Sequence, residues 1–167
     1  MGNEQKLLKY ANVIYKILIR FIHEAHYELL QVLKKLVEQP GASNMINLSI
    51  LPSLLVPQLN TENVRYRKDL REILKILHYL IPTICLKSYE EEMHHLGKMP
   101  WIQIHEFFQL FEHWIDNNVE KSYPPALNFL LKHLCECLSH SAPKIKEKSM
   151  ELLLLLLDRY AGYRENL

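Results

Sequence analysis

The sequence predicts an all-α fold, and three observations carry that prediction. Apolar residues recur at three- and four-residue steps along nearly the whole chain, which is the spacing of one face of a helix. Only four glycines occur in 167 residues. Alternation of β-branched with polar residues, which is typical of strands, is scarce. We therefore predict six or seven helices joined by short turns.

The length and composition are those of an ordinary globular chain. With 49% apolar and 23% charged residues, a chain of 167 residues is long enough to bury a hydrophobic core without disulfides or metals. We predict a single all-helical domain over residues 1–167. The chain ends directly after a charged segment, so a fragment of a longer protein is the open alternative.

The first part of the chain predicts two helices. An amphipathic stripe covers residues 4–38, with a bend near residues 21–25, and a Gln-Pro-Gly sequence at residues 39–41 ends it. A second helix is expected over residues 45–58. Pro52 should bend this helix, because proline lacks the backbone donor and crowds the preceding turn.

The sequence in the middle of the chain predicts one helix with clear ends, followed by one segment with a weak helical pattern. The turn at residues 60–63 supplies N-cap residues for a helix that runs to about Leu80, and an Ile-Pro sequence at residues 81–82 marks a break. Residues 87–98 are the least apolar stretch and contain three glutamates and His94-His95. We expect a long loop or a frayed helix there.

Proline also marks the starts of three later helices. Pro100 precedes an aromatic helix that is closed by residues 117–118. Residues 123–125 open another helix that runs to about Ser139, and residues 141–143 begin the last one, which ends near residues 160–162.

Two stretches of the chain, residues 51–77 and 125–156, are alike. Each has a segment that contains Pro and Leu, a polar turn, and a β-branched residue followed by a basic one, before a run of spaced apolar residues. The paired residues are Val64-Arg65 and Ile145-Lys146. Val64 and Ile145 lie 81 positions apart, about two periods of a roughly 40-residue repeat. In these features, over about half of the chain, the sequence resembles HEAT and armadillo-type repeats.

The resemblance implies a short stack of antiparallel helices. A compact helical bundle is the alternative, because any antiparallel bundle has leucine at such spacings. HEAT and armadillo-type repeats are binding scaffolds, so the resemblance also implies a surface for a peptide or a partner subunit, but it names no particular ligand.

The sequence offers no recognisable catalytic, cofactor or metal motif. Nine histidines occur, but neither Cys-x-x-Cys nor His-Glu-x-x-His is present, and no glycine-rich phosphate loop exists. Cys85, Cys135 and Cys137 are expected to be buried thiols in a reducing compartment, the cytoplasm or nucleus. A histidine and carboxylate cluster around His94 is the remaining enzyme candidate. We predict no enzyme, no cofactor, no metal and, because no apolar stretch is long enough, no membrane span.

Two helices carry more apolar residues than one buried face needs. In the aromatic helix, Trp101 and Phe108 lie beside the expected core row, so the apolar arc is wide. In the last helix, six successive leucines at residues 152–157 cover almost the full circumference, although a terminal helix should have a wet outer face. We predict that Trp101, Phe108, Leu154 and Leu157 bind another protein, a peptide or a second copy.

Basic residues cluster on two predicted helices and suggest an alternative function. If the repeat holds, Arg65 and Lys146 occupy equivalent places in a positive ridge, which would bind nucleic acid or an acidic peptide. The ordinary interpretation is a solvated helix face with partners such as Asp69 and Glu72. A net charge of +1 argues against a nucleic-acid footprint. The ridge comprises Arg65, Arg67, Lys68, Arg71, Lys144, Lys146 and Lys148.

Overall fold

The computed structural model describes residues 2–24, 26–93, 99–117 and 124–164, and within these ranges the chain forms helices and turns with no strand. The all-α prediction is therefore confirmed. The chain divides into two compact units, Met1–Ser88 and Tyr89–Leu167. The single domain over residues 1–167 stays a prediction.

Nine α-helices are present in the described ranges, against the six or seven predicted. They are α1 (Gly2–Phe21), α2 (Tyr27–Glu38), α3 (Ala42–Met45), α4 (Leu51–Leu55), α5 (Val64–Leu80), α6 (Pro82–Met93), α7 (Trp101–Asp116), α8 (Pro124–Cys137) and α9 (Pro143–Arg164). Short 3-10 turns at Ile22–Glu24, Leu48–Ile50 and Val56–Asn60 connect helices of the first unit.

The extra helices come from breaks in the first unit. The 3-10 turn at Ile22–Glu24 separates α1 from α2, where a bend was expected. The single bent helix predicted over residues 45–58 is wrong, because that segment forms short α and 3-10 pieces. Pro52 and Pro57 each lack a backbone donor and stand at the start of a new piece. The Asn47 side chain accepts a hydrogen bond from the Ser49 amide at 3.2 Å and caps the 3-10 turn at Leu48–Ile50.

The core of the first unit is built on α2 and α5, which pack along each other. The α2 helix buries leucines and a valine, and α5 buries leucines and an isoleucine. Across them the Gln31 side-chain amide donates to the buried Asp69 carboxylate at 2.8 Å. The α1 helix packs on α2 and α3. Its Tyr15 hydroxyl donates to the Asn47 carbonyl at 2.5 Å. Asn63 caps α5, as the turn chemistry predicts, by accepting from the Tyr66 amide at 3.1 Å.

The second unit has an aromatic core beneath its last helix. The Tyr89 ring makes edge contacts with Phe107, Phe111 and Trp114, at centroid distances of 5.5, 6.4 and 6.2 Å. Such pairs contribute about 0.5–1.5 kcal/mol each beyond their burial. The α9 helix packs on both α7 and α8.

These aromatic contacts explain why the first half of residues 87–98, where a long loop or a frayed helix was expected, is helical and not a loop. The α6 helix continues to Met93 and buries both Tyr89 and Met93. Tertiary burial of two large side chains outweighs the weak local pattern, which carries three adjacent glutamates. The second half of the stretch, including His94, lies outside the described residues.

The two β-branched residues that carry the repeat resemblance lie in different environments. Val64 is the first residue of α5 and is 68% exposed, whereas Ile145 is 1% exposed within the first turn of α9. Arg65 and Lys146, the basic residues that follow them, are both exposed. The HEAT or armadillo-type stack stays a prediction.

Candidate functional site

Three of the four predicted partner-binding residues lie at the surface. Leu154 and Leu157 are 60% and 58% exposed, and Trp101 is 45% exposed. Phe108 is 1% exposed, belongs to the core and is no part of a surface. Trp101 and Phe108 share one side of α7, because seven residues make nearly two turns. Only Trp101 stands in the first turn, at the end of the packed segment.

Trp101 borders a cavity of about 490 Å³ in the second unit. The start of α7 forms one wall, and the turn before α9 and the first turn of α9 form the other. This volume falls within the roughly 300–1,000 Å³ of typical ligand pockets. The lining is almost wholly apolar and comprises Met99, Trp101, Ile104, His140, Ala142, Pro143, Lys144 and Ile145.

Two polar groups stand among these apolar walls. The His140 Nδ1 accepts from the Ala142 amide at 3.0 Å, which fixes the ring and, in the neutral imidazole, places the proton on Nε2. Lys144 is exposed and lies in the first turn of α9, where the helix dipole is also positive. The polar groups of the cavity therefore favour an anion, while its walls favour an apolar group.

The outer face of α9 carries a second apolar surface, which we call the α9 stripe. Met150, Leu154 and Leu157 follow one another at steps of four and three residues, and all three are more than half exposed. Leu152 and Leu156 point to the opposite side and are buried. The run of leucines therefore contributes side chains both to the buried face and to the exposed face of α9.

Sequence reasoning missed a third apolar surface, the α1 stripe. Tyr10, Val13, Ile17 and Phe21 lie on one side of α1, and each is about half exposed. The spacing of three and four residues was a usable signal. It was hidden because a second row on the same helix, which includes the buried Tyr15, accounts for the amphipathic pattern by itself.

Four of the seven predicted ridge residues have partners within the chain, and Arg71 is one of them. The Arg65 guanidinium lies 3.7 Å from the centroid of the Tyr27 ring, and its Nη2 donates to the Tyr27 hydroxyl at 2.6 Å. Arg67 donates to the Thr61 carbonyl at 2.8 Å. Lys148 pairs with Glu112 at 3.0 Å.

The three other ridge residues and Arg71 differ in exposure. Lys68, Lys144 and Lys146 are exposed, while Arg71 is half-buried. The first four residues of the set belong to one compact unit and the last three to the other. A continuous ridge stays a prediction.

One of the two partners expected for the basic helix is confirmed, because Glu72 pairs with a basic residue of the same helix. Asp69 accepts from Gln31 and is buried, so it serves the core of the first unit. Glu72 pairs with Lys75 at 3.5 Å, three residues along the same helix.

The thiols do not form a reactive site. Cys85 and Cys137 are buried, and burial raises the pKa of Cys137 to about 11 and that of Cys85 further. Cys135 is exposed, so the expectation of three buried thiols is wrong for this residue. It lies two positions from Cys137, which turns it to the solvent side of α8. In the part of the chain that the structure describes, no three His, Cys, Asp or Glu side chains are placed to hold a metal ion.

No protein-family model, curated protein or solved structure matches this chain. Among the described helices, none combines the length and the apolar character needed to cross a bilayer.

Proposed function

We propose that this chain is a non-enzymatic protein-interaction domain that binds a peptide segment of another protein in the cavity beside Trp101. The single observation that carries the proposal is the meeting of Trp101 and Lys144 in that cavity. The first residue comes from the predicted apolar face and the second from the predicted basic ridge. Together they offer an apolar pocket with a cation beside it.

The chemistry of the cavity specifies the peptide. Apolar walls and an indole ring suit one large aliphatic or aromatic side chain, which is the usual anchor of a protein interface. Lys144, with Lys146 exposed nearby on the same helix, suits an Asp or Glu next to that anchor. We therefore expect a short partner motif in which an apolar residue is followed or preceded by an acidic one.

A peptide fits better than an enzyme substrate or a nucleic acid. Among the described lining residues there is no carboxylate and no thiol, so the cavity offers neither a carboxylate pair nor a cysteine nucleophile. A phosphate backbone needs several free cations. Arg65, Arg67 and Lys148 already have partners within the chain, which weakens the nucleic-acid alternative.

Selection from a displayed library of random peptides tests the proposal. We expect enrichment of motifs that pair an apolar anchor with Asp or Glu, loss of their binding in Trp101→Ala, and weaker binding in Lys144→Glu. Lys132→Glu is the matched control, because Lys132 is also exposed in the second unit but lies outside the cavity.

The selection also has clear outcomes against the proposal. Enriched peptides without an acidic residue, or peptides that bind Trp101→Ala as well as the unmodified chain, would contradict it. Salt-sensitive binding of RNA or DNA that is lost in Lys144→Glu would favour the nucleic-acid alternative instead.

A further inference from the structure

The α1 stripe and the α9 stripe are both apolar and exposed, but the charges beside them have opposite signs. Beside the α1 stripe lie Lys9, Lys16 and Arg20, all exposed and all on one flank of the helix. The apolar row and its basic flank together make one side of α1 a cationic, amphipathic surface.

Beside the α9 stripe lie Glu147, Glu151 and Asp158, which are also exposed and also share one flank. Lys148 is half-buried and stands between Glu151, at 3.5 Å, and Glu112, at 3.0 Å. One cation between two carboxylates leaves this flank negative over residues 147–158, while Lys144 and Lys146 are exposed at the N-terminal end of the helix. The α9 surface is therefore the electrostatic complement of the α1 surface.

We propose that the α1 stripe of one copy of this chain packs on the α9 stripe of a second copy. The occupant is a second copy because the same molecule carries both complementary surfaces. Matching of opposite charges beside an apolar seam is what sets partner choice in paired helices. The proposal is independent of the Trp101 cavity and of its peptide.

The positions of the charges fix the direction of this helix pair. On α1, Lys9 and Lys16 each directly precede a stripe residue, whereas on α9, Glu151 and Asp158 each directly follow one. In heptad terms the lysines stand at g and the acids at e. In a parallel pair, g of one helix faces e of the other, whereas an antiparallel pair brings g to g and e to e. Opposite charges therefore meet only when α1 and α9 run parallel.

The spacing of the charges also fixes the register. Lys9 and Lys16 are seven residues apart, and so are Glu151 and Asp158. With Ile17 opposite Leu154, both ion pairs form together, Lys9 with Glu151 and Lys16 with Asp158. In the same register Val13 lies opposite Met150, whereas Tyr10 lies opposite Glu147 and Arg20 opposite Leu157, so the two central layers are wholly apolar and the two outer ones are mixed.

Because the two surfaces differ, the association is head to tail. It leaves one α1 surface and one α9 surface free at the ends, so longer chains or closed rings form as concentration rises. A single helix pair buries less than the roughly 1,600 Å² of a standard interface, so we expect weak, concentration-dependent association.

A mixing experiment by analytical ultracentrifugation tests the pairing. Val13→Glu with Ile17→Glu blocks the α1 surface, and Leu154→Glu with Leu157→Glu blocks the α9 surface, so the two blocked surfaces carry like charges and do not pair with each other. Each variant alone should be monomeric, with helicity unchanged in circular dichroism because all four residues are exposed. Mixed, they should form a 1:1 complex of two chains and nothing larger, since each supplies the surface that the other lacks.

Two controls keep this result specific. Val32→Glu alters an exposed apolar residue on α2, outside both stripes, and should leave association unchanged. Trp101→Ala should also leave it unchanged, which separates this proposal from the peptide site.

Charge reversal tests the parallel register. Lys9→Glu with Lys16→Glu should weaken association at least tenfold, and so should Glu151→Lys with Asp158→Lys. All four changes in one chain should restore it, because the reversed pairs again have opposite signs.

Several results would overturn the proposal. They are a monomeric unmodified chain at every concentration tested, dimers formed by either blocked variant alone, no complex on mixing, and no rescue in the four-fold charge reversal. Binding of the α1 surface to anionic lipid vesicles without any self-association would likewise overturn it.

Discussion

Trp101 and Lys144 lie 43 positions apart in the sequence of the second unit, yet they line the same cavity of about 490 Å³. Trp101 stands at the start of α7 and Lys144 at the start of α9, and both helices belong to one packed unit. The apolar and basic features that the sequence suggests separately therefore share one surface.

This geometry predicts a salt dependence for the enriched peptides. Lys144 is exposed, so an acidic residue beside it would be screened by added salt, and a single exposed pair contributes about 0.2–1 kcal/mol. The dissociation constant should rise a few-fold between 50 mM and 500 mM NaCl for the unmodified chain and should hardly change for Lys144→Gln, which removes the charge without reversing it. Equal salt effects in both proteins would show that Lys144 does not meet the acidic residue.

Two leucines of α9, two positions apart, should respond very differently to truncation. Leu156 is buried, so Leu156→Ala should lower the free energy of unfolding by about 2–5 kcal/mol through lost burial and a cavity. Leu154 is 60% exposed, so Leu154→Ala should change it by at most about 0.5 kcal/mol. Urea unfolding of the two variants checks this, and similar costs would mean that the outer face of α9 is covered in the folded chain.

The cysteines should differ in reactivity. At pH 8 in native buffer, a disulfide reagent such as dithionitrobenzoate should titrate one thiol per chain, that of the exposed Cys135. Cys85 and Cys137 are buried with raised pKa values and should react only after denaturation. Cys135→Ser should abolish the fast reaction. Rapid titration of two or three thiols in the native chain would contradict the burial of the other two.

His133 should make the stability depend on pH. Burial lowers its pKa in the folded state, against the opposing effect of Glu136, whose Oε2 lies 3.3 Å from Nδ1. A folded pKa below the unfolded value of about 6.5 means that the unfolded chain binds the proton more readily. This contribution to stability is present above pH 6.5 and is lost as pH falls towards the folded pKa.

Urea unfolding at pH 7.5 and pH 5.5 measures this effect. The unmodified chain should lose stability at the lower pH, and His133→Leu should lose less, because the group that binds the proton is gone. His105→Leu is a control at an exposed histidine of α7, and it should lose as much stability at pH 5.5 as the unmodified chain. A larger loss in His133→Leu than in the unmodified chain would contradict the sign of the shift.

Local chemistry in the sequence predicted several helix boundaries well. Asn63 starts α5, Pro100 precedes α7, and Gly41, which has a φ of 77°, follows the end of α2. Caps, prolines and positive-φ glycines act within a few residues, so their effect is visible without the fold. The pieces around Pro52 and Pro57 were harder, because the breaks depend on several weak effects together.

Tertiary packing determined what the sequence could not. Nothing local separates Trp101 from Phe108, yet one lines a cavity and the other is core. Tyr89 extends a helix through an acidic stretch because Phe107, Phe111 and Trp114 surround its ring. The α1 stripe was hidden by the inner row of the same helix. In each case the deciding contact lies on another element.

Intrinsic fluorescence of Trp101 during titration with an enriched peptide tests the central claim most directly. The chain has two tryptophans, and Trp114 is already buried at 1% exposure, so a change on binding reports Trp101. We predict a saturable blue shift that disappears in Trp101→Phe, weakens in Lys144→Glu and persists in Lys132→Glu. Binding of the peptide without any change in Trp101 emission would contradict the account.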